Sequence, residues 1–321
     1  MKLFYKILCF STSAIFFTGC LKDDRNLIDP ANTNNVIEFA NTANLTSPTT
    51  SRFPLLSVNI PMQATGTYNA VISYSGANNA PEDITVDIEL ADPAILTAYN
   101  TQNRTTLLPI PSNLFSIPQT RVVILKGTRQ ANLPITFVNS DQLFGRGFVL
   151  ALRIKSVSPS NHIISGNFNT MLFSLSGINE LDGVYTLKYR FGTNDRNYDV
   201  TPVTWFYSDV TLVTASTTTS TMRNINAGTS VTAAVHAATS LGIPTSIPTF
   251  VPLLTYNLTS LRITNISNNT TTSARTALPN PLVTDNRVDA ATKTVFASFI
   301  LRETGRTDMI INDTLIYKSP R

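Results

Sequence analysis

The sequence predicts an all-β protein of two β-sandwich-like domains, the second either a sandwich or a small barrel. Three observations carry this expectation. β-Branched and turn-forming residues dominate, as in Thr214-Ala-Ser-Thr-Thr-Thr-Ser-Thr221 and Asn268-Asn-Thr-Thr-Thr-Ser273, and they favour pleated strands and tight turns over helix. Short runs that alternate apolar and polar residues recur along the chain, punctuated by Pro and Gly. Of 321 residues 42% are hydrophobic and only 14% charged. That is enough to bury the cores of two ordinary domains.

The chain opens on an address rather than a fold. Lys2 and Lys6 form a positive start, Ile7 to Phe17 an apolar run, and Phe17-Thr18-Gly19-Cys20 sets two small residues before a cysteine. This is the order of a lipoprotein signal, residues 1–19, with Cys20 lipidated and anchoring the chain to a bilayer. The apolar run is about half of the roughly 20 residues a membrane span needs. Leu21-Lys22-Asp23-Asp24 then resembles the export signal of Bacteroidetes-type lipoproteins that face outward on the outer membrane. That resemblance implies a lipid-anchored protein at the cell exterior, with Lys22, Asp23 and Asp24 as the signal. Residues 20–35 read as a flexible tether, continuing as polar spacer to about Thr50, with Val36-Ile37-Glu38-Phe39 as one edge strand.

The first domain is expected over 36–177. Leu55 to Ile60 alternates before Pro61, and Tyr68 to Tyr74 alternates before Ser75-Gly76. Ile84 to Leu90 is the cleanest strand, with Asp87 and Glu89 on its wet face. Asp92-Pro93 opens a short helix, the carboxylate as N-cap and the proline at the first helical position. It carries Ile95, Leu96 and Tyr99 and ends near Asn103. Leu107 to Pro118 holds Pro109, Pro111 and Pro118 and is expected to be irregular. Arg121 to Lys126, Asn132 to Val138, Phe148 to Ile154 and Thr170 to Leu175 complete an antiparallel sandwich of immunoglobulin-like size.

Asp83-Ile-Thr-Val86, Leu96-x-x-Tyr99-Asn100, Leu108-Pro109, Val122-x-Ile124-x-x-Gly127 and Leu152-x-Ile154 occur in one order. Together, over about Val36 to Gly177, they resemble the N-terminal domain of unknown function of many Bacteroidetes surface lipoproteins. In that group the domain precedes glycosidase, lectin-like or uncharacterised domains, often in glycan-utilisation loci. Ala151 stands where many relatives have proline. The resemblance implies no catalytic residue in this domain.

Ser176 to Glu180 is the expected boundary, and Leu181-Asp182-Gly183-Val184-Tyr185 begins the second domain, 178–321. Val184 to Phe191, Val203 to Val213, Ser220 to Asn226, Leu253 to Ile266, Thr294 to Leu301 and Met309 to Lys318 read as strands. Thr232 to Ser240, rich in alanine, reads as a short helix, and Thr270 to Asn280 as a loop.

Candidate chemistry is sparse. The only cysteines are Cys9 and Cys20, so the folded body has no thiol for a disulfide, a metal or a nucleophile. The formal net charge is +4, of which Lys2 and Lys6 supply two, and no Lys/Arg cluster with interleaved aromatics points to nucleic acid. His162 and His236 read as ordinary surface or loop residues, and no metal or cofactor is expected. The acidic pairs Glu82/Asp83, Asp87/Glu89, Asp195/Asp199 and Asp308/Asp313 lie where solvated charges belong, without the convergent geometry of glycoside hydrolysis.

Thr201-Pro-Val-Thr-Trp205-Phe-Tyr207 holds the single tryptophan. On a strand Trp205 and Tyr207 share one face. Sugars present C–H faces that stack on such rings, and Tyr198 and Asn197 just upstream supply polar groups; alternatively the aromatics are core. Asp313-Thr314-Leu315 resembles a bacterial O-glycosylation site at Thr314. The expected function is non-catalytic: a surface lipoprotein that binds extracellular glycan as an accessory to polysaccharide uptake. The alternative is an adhesin or fimbrial surface protein with a protein partner.

Overall fold

A computed structural model describes residues 34–40, 45–62, 64–138, 140–192, 205–225, 236–240, 243–246, 250–257, 259–270 and 274–321. Among them the architecture is all-β, with one α-helix of three turns.

The first half is a sandwich. One sheet contains β1 (Val36–Phe39), β3 (Thr65–Ser75), β8 (Gln130–Val138), β6 (Phe115–Ser116) and β10 (Ile163–Ile164), in the order β10-β1-β3-β8-β6. The other contains β2 (Leu55–Pro61), β4 (Ile84–Leu90), β7 (Arg121–Ile124), β9 (Phe148–Ser158) and β11 (Thr170–Ile178), in the order β2-β11-β9-β4-β7, with β5 (Leu108–Pro109) beside β9. Period-two patterning explains the core. Ile84, Val86 and Ile88 of β4 face Ile72 of β3 and Ile135 of β8 across one buried cluster, as two inward faces must. The outward residues of β4 pair across strands instead: Asp87 with Arg121 at 2.7 Å and Glu89 with Arg153 at 2.6 Å.

The helix α1 (Pro93–Asn103) lies on the outer face of the second sheet. Asp92 caps it, accepting from the Ala94 N–H at 2.8 Å, with proline at the first helical position. Leu96 and Tyr99 bury against Leu55, Val149 and Leu172.

Two expectations for this half need correction. The edge strand expected at Val36–Phe39 forms as β1 but is not an edge: Ile37 is fully buried and Phe39 is 1% exposed. Both belong to the core because β1 pairs with β3 and β10 on its two sides. Nor is the sandwich wholly antiparallel. β2 runs parallel to β11, β1 to β10 and β5 to β9; alternation in the sequence reports which face is buried, not strand direction.

The second half is a nearly closed barrel, which resolves the sandwich-or-barrel alternative. Its strands are β12 (Gly183–Phe191), β13 (Phe206–Ser216), β14 (Thr219–Asn224), β17 (Pro252–Tyr256), β18 (Ile263–Asn268), β19 (Arg275–Pro279), β20 (Arg287–Asp289), β21 (Thr294–Glu303) and β22 (Met309–Ser319). Each pairs antiparallel with its neighbours in the order β18-β17-β14-β13-β12-β22-β21-β19, with β20 also on β21. The sheet then curls until its ends meet. Arg262 bridges Arg287, the Ile263 N–H donates to the Asn286 carbonyl at 3.0 Å, and the Val288 N–H to that of Leu261 at 2.7 Å. Such closure satisfies strand edges that an open sheet would expose. The interior is packed with Tyr185, Leu187, Phe191, Leu212, Phe299 and other buried apolar residues.

A hairpin of β15 (Ala237–Ser240) and β16 (Ile243–Ser246) replaces the expected helix over Thr232 to Ser240; residues 232–235 lie outside the described residues. Alanine's helix preference is a weak prior that cross-strand backbone pairing overrides. The expected single strand Leu253 to Ile266 is two strands, β17 and β18. They are joined where the Asn257 carboxamide oxygen accepts from the Thr259 and Ser260 N–H groups. The expected loop at Thr270 to Asn280 contains β19.

The Leu181-Asp182-Gly183-Val184-Tyr185 stretch locks the barrel's start. The Tyr185 hydroxyl donates to the Leu181 carbonyl at 3.0 Å, and the buried Asp182 carboxylate accepts from both the N–H and the hydroxyl of Thr214. Gly183 is required by proximity, since a Cβ there would lie 2.7 Å from the Tyr317 ring. Asn179 donates to the carbonyls of Ser216 and Thr219 and accepts from the Leu181 N–H. Asn179→Ala leaves those buried groups unpartnered, so it should destabilise the protein by at least about 2 kcal/mol, measured as a lower urea midpoint with unchanged slope.

Candidate functional site

β12 and the start of β13 create the site by strict alternation. Inward, Phe206 stacks on Tyr189 with ring centroids 5.3 Å apart and meets Phe191 edge-on at 5.7 Å. That pins the entry to β13 against the barrel core. Its neighbours must then point outward, and they do: Trp205 is 36% and Tyr207 64% exposed. Trp205 is therefore not core.

Lys188 and Arg190, the outward residues of β12, lie beneath the tryptophan. The Lys188 ammonium is 4.4 Å and the Arg190 guanidinium 4.7 Å from the Trp205 ring centroid, within cation–π range. In register, Tyr207 sits opposite Lys188, and on the other side of β12 Thr314 lies beside Lys188 and Asn312 beside Arg190. The result is a wall of three strands with two aromatics, two cations and short polar side chains, held by a rigid interior. Lys188 and Arg190 were legible in the sequence as alternate positions of Gly183–Phe191, but nothing in the sequence says that Trp205 sits over them.

Thr314 occupies the half-buried outer face of β22, between Lys188 and Phe296. Asp313, its neighbour in the same motif, points into the barrel. Tyr198 and Asn197 lie outside the described residues, as do Cys20, Lys22, Asp23 and Asp24.

The histidine expectation is corrected. His236 is buried in the barrel, its Nε2 3.0 Å from both carboxylate oxygens of Asp313, with both side chains fully inaccessible. Tyr189, Phe250 and Phe299 surround the imidazole, and its Nδ1 has no partner among the described residues. His162 is also largely enclosed, 3.5 Å from Glu82 and edge-on to Tyr74. Among the described residues no group of three or more His, Cys, Asp or Glu could hold a metal ion, and no helix is long and apolar enough to cross a membrane.

A cavity of about 290 Å³ lies between α1 and β9. Its polar side chains are already committed: Asp92 caps the helix, and Asn100 donates to the Leu107 carbonyl and accepts from the Leu107 N–H.

Most of the sandwich can be placed among known proteins. Residues 39–161 match a family model described as "-like, N-terminal domain". No curated protein sequence matches the chain. Among solved structures, a Bacteroides ovatus protein of unknown function is similar over 89% of this chain and 95% of its own, at 11% identity and a TM-score of 0.51. That likeness establishes a shared fold across both halves. An auxiliary nutrient binding protein from Bacteroides thetaiotaomicron matches over 81% of this chain and 89% of its own, at 14% identity and a TM-score of 0.40. EndoBT-3987 of the same species, solved with a Man5GlcNAc product, matches over 38% of this chain and 28% of its own, at 15% identity and a TM-score of 0.30. The last two scores carry no inference of shared function.

Proposed function

We propose that this chain is a non-catalytic cell-surface lipoprotein that binds extracellular glycan, as an accessory to polysaccharide uptake. The observation that carries the reading is the exposed Trp205–Tyr207 face, backed by half-buried Phe206 packed on the buried rings of Tyr189 and Phe191. A flat ring fixed on a rigid wall loses little freedom when a sugar packs on it. The sandwich, 36–177, is a spacer domain in this reading, and the barrel, 178–321, is the binding module. Cys20 holds both at the outer face of the outer membrane behind the Lys22-Asp23-Asp24 signal.

Binding of the soluble body, from Lys22 onward, to a broad polysaccharide panel tests the glycan reading. Saturable binding to one glycan class supports it, and silence from a well-folded protein overturns it. The anchor has its own test. Cys20→Ser should move the protein from the membrane fraction to the soluble fraction, because several acyl chains each contribute about 0.8 kcal/mol per buried CH₂.

A second reading rests on β7. This four-residue strand is an edge of its sheet, and Val123 within it and Leu125 just after it are 41% and 56% exposed. A protein partner could add a strand there. Co-purification of a partner that is lost on Val123→Pro would favour this adhesin-type role.

A further inference from the structure

We infer that the ligand of the Trp205 face is an acidic polysaccharide, one whose uronate carboxylates or sulfate esters are held by Lys188 and Arg190. This deepens the glycan reading and rests on it.

The inference comes from charge accounting on the outer wall formed by β13, β12 and β22. The outward positions carry Thr186, Lys188 and Arg190 on β12, Trp205, Tyr207 and Asp209 at β13, and Asn312, Thr314, Ile316 and Lys318 on β22. Asp209 is the only carboxylate in that set, and it is engaged. Lys318 Nζ lies 3.0 Å from one of its oxygens, and the Thr186 hydroxyl donates to the other at 3.1 Å. The hydrogen bond from Lys318, with that from Thr186, holds the Asp209 carboxyl below its usual range, so it stays charged and paired with Lys318 at neutral pH. Lys188 and Arg190 have no carboxylate partner among the described residues; their close contact is the π-face of Trp205.

A patch meant only for neutral sugars has no use for two adjacent cations that lack counter-charges among the described residues. Elsewhere the exposed arginines that stand on strands are paired, with Arg121 on Asp87, Arg153 on Glu89 and Arg302 on Asp308, whereas Arg52, Arg104, Arg129 and Arg146, which lack a carboxylate partner among the described residues, lie in turns and loops. Alternate residues on a strand stand about 7 Å apart, so the two cations can engage two anionic substituents while a ring stacks on Trp205. Arg190 offers a planar fork suited to carboxylate or sulfate, and Lys188 a point charge.

The test compares polymers that differ in charge alone. The body from Lys22 onward is titrated with polygalacturonate and its methyl ester, and with dextran sulfate and dextran, using polyglutamate as a polyanion that is not a sugar. At least one acidic polysaccharide should bind about tenfold or more tightly than its neutral parent, with affinity falling as salt rises. The double variant Lys188→Gln/Arg190→Gln should erase that preference while lowering the melting temperature by no more than about 4 °C, the cost of the lost cation–π contacts. The carboxylate and sulfate arms tell the two sources of charge apart. Equal affinity for neutral and acidic polymers, lost on Trp205→Ala, would overturn the inference and leave the glycan reading standing. Polyglutamate binding as tightly as the polysaccharides would overturn it in favour of a general anion patch. No carbohydrate binding at all from folded protein would sink the glycan reading itself.

Discussion

Asp313→Ala should destabilise the barrel by about 3–5 kcal/mol, the range for breaking a buried pair by deleting one member. His236 and Asp313 are fully inaccessible and make two 3.0 Å contacts. Alanine leaves a cavity and strands the imidazole Nε2 among Tyr189, Phe250 and Phe299, where neither water nor another described group reaches it. The check is urea unfolding of the full body followed by circular dichroism. His236→Leu/Asp313→Leu supplies the control, because replacing both polar partners with apolar groups of similar size recovers most of the loss. A loss below about 1 kcal/mol for Asp313→Ala would mean that solvent enters the barrel, since exposed pairs contribute no more than that.

Trp205→Ala has the opposite profile: a large effect on binding and little on stability. Central aromatic anchors commonly supply about 2 kcal/mol or more of binding energy, which is roughly thirtyfold in affinity. Because the ring lies outside the buried core, the identified interactions its removal forfeits are those with Lys188 and Arg190, about 0.5–1 kcal/mol each at an exposed site. Calorimetric binding to the best polysaccharide, alongside a melting curve, separates the two quantities. Unaltered affinity would move the site elsewhere. A collapsed melting transition would show that Trp205 supports the barrel after all.

Much of this molecule was legible because period-two alternation survives where one face is wet and the other is not. β4 and β12 could be read residue by residue for that reason, and the α1 cap was written in Asp92-Pro93. Alternation carries no information about strand direction or distant partners. The parallel pairing of β2 with β11 and the burial of Ile37 and Phe39 in a polar stretch were accordingly missed. His236 and Asp313 are 77 residues apart in unremarkable local contexts, and only barrel closure brings them together. The same closure decides the site. Trp205 stood out as the only tryptophan, but the cations beneath it come from a neighbouring strand whose alignment the sequence does not state. Tyr198 and Asn197 lie outside the described residues, so their part is a matter for mutagenesis.

The pairing of β12 with β22 also bears on how the protein comes into being. Tyr189 finds Asp313 well over a hundred residues later, so the first strand of the barrel has one permanent neighbour that lies far downstream. Contacts that close so long a loop come late and slow folding. The sandwich closes loops as long, β1 on β10 and β2 on β11, but all of its strands precede β12 in the chain. A chain emerging N-terminus first would therefore hold every sandwich strand while β12 still exposed an unpaired edge. Over that interval the edge is open to other chains, as it would remain on loss of β22.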